Sequence, residues 1–156
     1  MSSTIFNNEQ RTPVSVFDGD KKFGNSYYSM SDETDHVLVT TDPTELTRID
    51  TVILPRGTYK FAWSYSWNVS QIRNPFIADF KVDGIVRRTH RQSIASIENP
   101  PTYEFTCNGE QVPASGFFEI EFTTEEEHSF SLEVYGKSLE YQIAAWDIML
   151  EMYRTK

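Results

Sequence analysis

Three histidines, His36, His90 and His128, are the side chains best suited to hold a metal or move a proton. None stands two to four residues from another His or Cys, so no local ligand pair is expected. Asp79 and Asp83 could face Glu119 or Glu121 across two sheets, as the carboxylates of a glycosidase do. They are outward members of alternating stretches, however, and are expected to be solvated. The single cysteine, Cys107, cannot close an internal disulfide. It falls in a predicted strand and is expected to be a buried, inert thiol. Glycine-rich phosphate loops and strand-turn-helix nucleophile elbows are absent from the sequence. The expectation is a protein that is not an enzyme and uses no cofactor and no metal.

Two charged clusters could instead make contacts. Arg87, Arg88, His90 and Arg91 form the one basic cluster, and Glu125, Glu126 and Glu127 are its obvious complement. A head-to-tail or trimeric contact would join them across copies of the chain. The plainer reading is a pair of solvated edges that discourage sheet-to-sheet aggregation. Asn68-Val69-Ser70 matches a glycosylation acceptor. No basic region followed by an apolar run opens the sequence, so no secretory signal is expected and the match is read as chance.

The elements that must position these groups are strands. Tyr59, Phe61, Trp63, Tyr65 and Trp67 occupy every odd position from 59 to 67, with small or polar residues between. Alternate side chains of a strand point to opposite faces, so this segment has one aromatic face and one thin face. Nine residues of strand span roughly 30 Å, most of the width of a domain this size. Phe61, Trp63 and Tyr65 are therefore expected in the core. Tyr59 and Trp67, at the ends, are candidates for a subunit interface or a sugar-binding edge. The thin face of Ala62, Ser64 and Ser66 would admit a closely packed neighbour.

Alternation recurs along the chain: Phe76, Ala78, Phe80 and Val82; Phe118, Ile120 and Phe122; Phe130, Leu132 and Val134. Asp83-Gly84 and Asn108-Gly109 mark tight hairpins, because a type I′ turn needs positive φ at both central residues. Glu125 to Glu127 is read as a turn. From Leu139 to Tyr153 helical and strand spacings coexist, and the all-β context favours a closing strand. About eight strands with turns near every ten residues predict an antiparallel β-sandwich or jelly roll over 36–156. Residues 1–35 are polar, with one apolar patch at Val14, Val16 and Phe17. They are read as an extended N-terminal arm, either a disordered tail or a segment that orders on a partner.

The formal charge is −9, unevenly spread. From position 101 onward there are eleven acids and three bases, a net of −8, against twelve acids and eleven bases before it. An acidic half argues against nucleic acid and against anionic membranes as partners. No run of about 18 apolar residues is present to form a membrane helix.

The phrase Leu54-Pro55-Arg56-Gly57-Thr58-Tyr59-Lys60-Phe61 resembles one common in small jelly rolls. Glu127 to Val134 and Ala145 to Glu151 stand where such domains place their last two strands. Residues 36 to 153 thus resemble the tumour necrosis factor and complement-head superfamily. They are more closely similar to jelly-roll structural proteins of tailed bacteriophages, both capsid decoration proteins and fibre tips. The resemblance implies a non-enzymatic virion protein, made in the host cytoplasm and assembled as a homotrimer against the major capsid protein or another virion protein. It implies aromatic faces near a three-fold axis and an arm that reaches a neighbour. The alternative it carries is a receptor- or glycan-binding fibre tip, with Trp67 or Tyr65 as the sugar platform.

Overall fold

The structure, a computed structural model, describes residues 4–6, 13–15, 26–71, 73–93 and 111–156. Eleven strands are present among them, and no helix. Two short ones, β1 (Thr4–Phe6) and β2 (Pro13–Ser15), pair with each other as a separate antiparallel ribbon. The rest are β3 (Tyr27–Asp32), β4 (His36–Leu38), β5 (Thr44–Leu54), β6 (Gly57–Val69), β7 (Phe76–Val82), β8 (Ile85–Gln92), β9 (Val112–Phe122), β10 (Glu126–Tyr135) and β11 (Ile143–Arg154).

They form two antiparallel sheets. One has the order β5-β10-β7-β8, and the other β3-β11-β6-β9 with β4 also on β11. β3 pairs with Ile148–Tyr153 of β11 and β4 with Ile143–Ala145, along the same edge. They behave as one strand broken at 33–35. The break lies opposite a bulge in β11, where Asp147 takes a φ of 51° and the register against β6 shifts. Counting that pair as one strand leaves eight, and every connection except the β7–β8 hairpin passes from one sheet to the other. This is the strand order of a jelly roll. The β7–β8 turn carries positive φ at both Asp83 (54°) and Gly84 (76°), as its Asp-Gly sequence predicts.

β3 lies inside the stretch that the sequence reading gave to the arm. Its alternation is weak, because most of its side chains are polar. Main-chain pairing to β11 holds it, while Tyr28 packs on the core and the Tyr27 hydroxyl donates to Glu151 at 2.6 Å. The closing segment is a strand rather than a helix. Glu125 to Glu127 is not wholly a turn: the bend falls at 123–125, and Glu126 and Glu127 already pair with Leu54 and Ile53.

The aromatic stripe is the core. β6 is a central strand, paired on one side with β11 and on the other with β9 along eleven consecutive residues. Its odd positions from Tyr59 to Val69 are all buried and meet the opposite sheet. Trp63 stacks on Phe80 with ring centroids 3.8 Å apart, Phe61 meets Phe130 edge-on at 5.2 Å, and Tyr65 and Trp67 lie against Phe76. Burying such a ring stabilises a fold by roughly 1.5–3 kcal/mol. The stripe alone thus supplies a large share of the driving force.

Candidate interface surfaces

The two ends of the stripe are not surface. Tyr59 is fully buried, and its hydroxyl donates to the Pro55 carbonyl at 2.8 Å. Trp67 is 5% exposed. For Trp67 the reason is the length of β6: at thirteen residues it runs past position 67, the ring lies against Phe76, and a polar turn follows. There Asn74, itself buried, accepts the Lys137 N–H on Oδ1 at 2.8 Å and donates from Nδ2 to the Tyr141 carbonyl at 3.2 Å. Ser70 and Gln142 exchange two further bonds. Neither Tyr59 nor Trp67 can stack on a sugar in the folded chain, and Tyr65, also buried, gives its hydroxyl to Gln92 at 2.6 Å. Burial pushes the Tyr65 phenol far above its ordinary range.

The arginines lie on β8, an edge strand that among the described residues pairs only with β7. Arg87, Arg88 and Arg91 are all exposed. They do not share a face. Arg88 stands opposite Phe80 and leans toward the rim between the sheets, while Arg91 stands opposite Ile77 and points outward. Arg87 falls in the register shift between Val86 and Arg88. A bulge and a row of cations are two of the devices that keep an edge strand from pairing with another chain. His90, in the same strand, meets Trp63 edge-on at 5.2 Å. Burial, and then the nearby Arg88 charge, hold its imidazole below the ordinary range.

Glu125, Glu126 and Glu127 are exposed at the end of the sandwich that carries the β5–β6, β7–β8 and β9–β10 turns. Glu126 accepts the Thr124 hydroxyl at 2.9 Å. The acid run and the first arginines of β8 lie toward the same end, yet no ion pair joins them among the described residues. Val14 lies in β2, opposite Ile5. Val16, Phe17, Cys107 and the Asn108-Gly109 turn fall outside the described residues.

Of the four carboxylates expected to be solvated, Asp83, Glu119 and Glu121 are exposed and one is not. Asp79 is buried, not solvated, because β7 is covered on both faces. It accepts the Thr89 hydroxyl at 2.5 Å. Asp83 faces His128 at 2.7 Å instead of Glu119 or Glu121, which sit on the outer face of the other sheet. His36 meets Asp32 at 3.0 Å. Burial of Asp32 raises its pKa, but the hydrogen bonds from Thr34 and His36 outweigh it and hold the carboxyl below the usual range. Among the described residues no three metal-ligating side chains gather. Asn68, the glycosylation candidate, is buried and accepts the Val69 N–H at 2.7 Å.

One surface was legible only as a thin face. On the outside of the β6 sheet, Ser64 and Ser66 pair with Ser115 and Pro113 of β9 and leave a trough of about 500 Å³, closed on one side by Asp147. One row along, Phe117 is 56% exposed, with the Lys60 ammonium 4.0 Å above its ring.

No family model matches the sequence, and no curated protein sequence matches it. Solved structures superpose on it to differing degrees. A chain of the infectious bursal disease virus, Gx strain, superposes over 97% of this chain with a TM-score of 0.54 and 10% identity. The VP2 subviral particle of the same virus covers 99% at 0.49, also with 10% identity. Dimeric latent PorU from Porphyromonas gingivalis covers 82% at 0.39 and 14% identity. The chain spans 36%, 41% and 13% of those chains respectively. At such identities the likeness is one of fold, and only the first reaches a TM-score from which the fold can be argued.

Proposed function

We propose that the protein is a virion structural component, a decoration protein that attaches to the capsid exterior as a trimer and stabilises it. The observation that carries this reading is the jelly-roll strand order, shared in shape with a chain of a virus particle. Two features support it. The aromatic stripe is used up in the core, and charges with no ion pair among the described residues lie on an edge strand and at one end of the sandwich, where a neighbour can reach them. The partner is the major capsid protein or another protein of the particle, and the arm before β3 is the segment that engages it. Mixing the purified chain with particles assembled without it, then sedimenting and heating them, tests the reading. Co-sedimentation at a fixed ratio with delayed disassembly is expected. Particles that neither retain the chain nor gain stability would count against it.

A second reading, a glycan-binding tip, is favoured by the trough beside Phe117. Hydroxyls and a carboxylate next to an exposed ring are the groups a sugar needs. In that case Asp147→Gly, which keeps the positive φ and deletes the carboxylate, abolishes glycan-array binding without loss of stability.

A further inference from the structure

A cavity of about 480 Å³ opens at the end of the sandwich that carries the β5–β6 turn. Its walls bring together Arg56, Arg154 and Lys156, the hydroxyl-bearing Thr58 and Thr123, and one acid, Glu121. Arg56 stands about a hundred positions before Arg154 and Lys156, and main-chain bonds hold the two segments together. Thr58 N–H donates to the Lys156 carbonyl at 3.1 Å, and Thr155 N–H to the Thr58 carbonyl at 2.7 Å. Arg154 Nε donates to the Lys156 carbonyl at 3.0 Å. Gly57 makes this approach feasible. At its φ of 152°, an added Cβ would stand 2.6 Å from both Arg154 Nε and the Lys156 carbonyl oxygen.

The charge is out of keeping with the chain. The protein carries 23 acids against 14 bases. Yet among the described residues none of these three bases is in an ion pair. Its charged side chains are three cations and one carboxylate, with Arg154 Nε already engaged by the Lys156 main-chain oxygen. Burial raises the pKa of the Tyr59 phenol, and the Arg154 and Glu125 charges act on it in opposite directions. A cluster of unpaired cations around a cavity of this size lowers the energy of an anion placed in it.

We propose that this cavity is an oxyanion site that takes a phosphate or phosphate-ester group. Two guanidinium groups, an ammonium and two hydroxyls present donors from several elements at once. A tetrahedral group with three or four acceptor oxygens can use them, whereas a carboxylate has two. This site is separate from the capsid-attachment reading and stands or falls without it.

Titration of the full chain with inorganic phosphate, against chloride at matched ionic strength, tests the site by calorimetry and amide chemical shifts. The expected result is saturable binding, with shifts centred on 56–58, 121–123 and 154–156. Arg56→Gln, in an exposed turn where folding is not at stake, weakens it about ten-fold or more, as loss of a charge-assisted bond would. Arg154→Gln does the same, and Arg87→Gln leaves it unchanged. Phosphate that is indistinguishable from chloride overturns the proposal. So does equal weakening by Arg87→Gln, which would mean a diffuse charge effect. So too does an Arg56→Gln variant that binds phosphate normally but loses self-association, which would make these cations a subunit contact.

Discussion

The carboxylate of Asp83 lies 2.7 Å from Nδ1 of His128 and joins the tip of the β7–β8 hairpin to the first residues of β10. Its other oxygen accepts the Ser129 N–H at 2.9 Å, and its own N–H donates to the Ser129 carbonyl at 3.2 Å. The His128 ring is buried and stacks on Phe122 with centroids 3.7 Å apart. One side chain therefore ties together two turns, β7–β8 and β9–β10, at the same end of the sandwich. Asp is also one of the few residues other than Gly that tolerates the left-handed φ this turn requires.

Asp83→Ala should lower stability by about 2–3 kcal/mol, because it removes two hydrogen bonds and strains the turn. Asp83→Asn keeps an acceptor for Ser129 and tolerates the φ, so it should lose roughly half as much. Urea unfolding of the two variants checks this. Equal losses would show that backbone strain plays no part.

Gly116, in the middle of β9, faces Trp63. A Cβ there would stand 2.6 Å from Cζ2 of the indole, which is held between Phe80 and His90 and cannot swing away. Gly116→Ala should destabilise by about 1–3 kcal/mol through overpacking and shift the tryptophan emission. Ser115→Ala, one residue away on the outer face, should be near neutral. A Gly116→Ala protein as stable as its parent would contradict the packing described for β9.

Acid should weaken the fold in two steps. His90 is held below its ordinary value by burial and then by Arg88, so the unfolded chain takes up the proton first. Its contribution is intact above about pH 6.5 and declines as pH falls toward the lowered value. Asp32 is likewise depressed, so its contribution is intact above its ordinary carboxylate value and is lost as pH falls through the lowered one. His90→Gln should flatten the first step, which begins as pH falls below about 6.5, and leave the second. Melting temperatures across that step test the sign. A variant with the parent's slope there would exclude His90 as the source.

The fold was legible because its strongest elements carry strict alternation. The stripe of β6, the Phe76–Val82 strand and the Asp83-Gly84 turn obey local rules that the tertiary structure did not override. β3 was not legible, since main-chain pairing rather than an apolar face holds it. The surface was legible only in part. Sequence could say that Tyr59 and Trp67 end the stripe, but not that β6 runs on past Trp67, with Phe76 against its ring, or that the Pro55 carbonyl meets Tyr59. Asp79 was read as solvated because its neighbours alternate, and a strand covered on both faces breaks that inference. Arg56 is too far in sequence from Arg154 and Lys156 for any spacing rule to join them.

The most direct test of the capsid-attachment reading is a truncation, and the position of β3 decides where to cut. Removing residues 1–25 leaves every strand of the two sheets, whereas removing 1–35 deletes β3 and its pairing with β11. The 26–156 protein should unfold cooperatively near the parent's midpoint yet fail to co-sediment with capsids that saturate with the full chain. A truncated protein that saturates the same capsids with unchanged affinity would contradict the account.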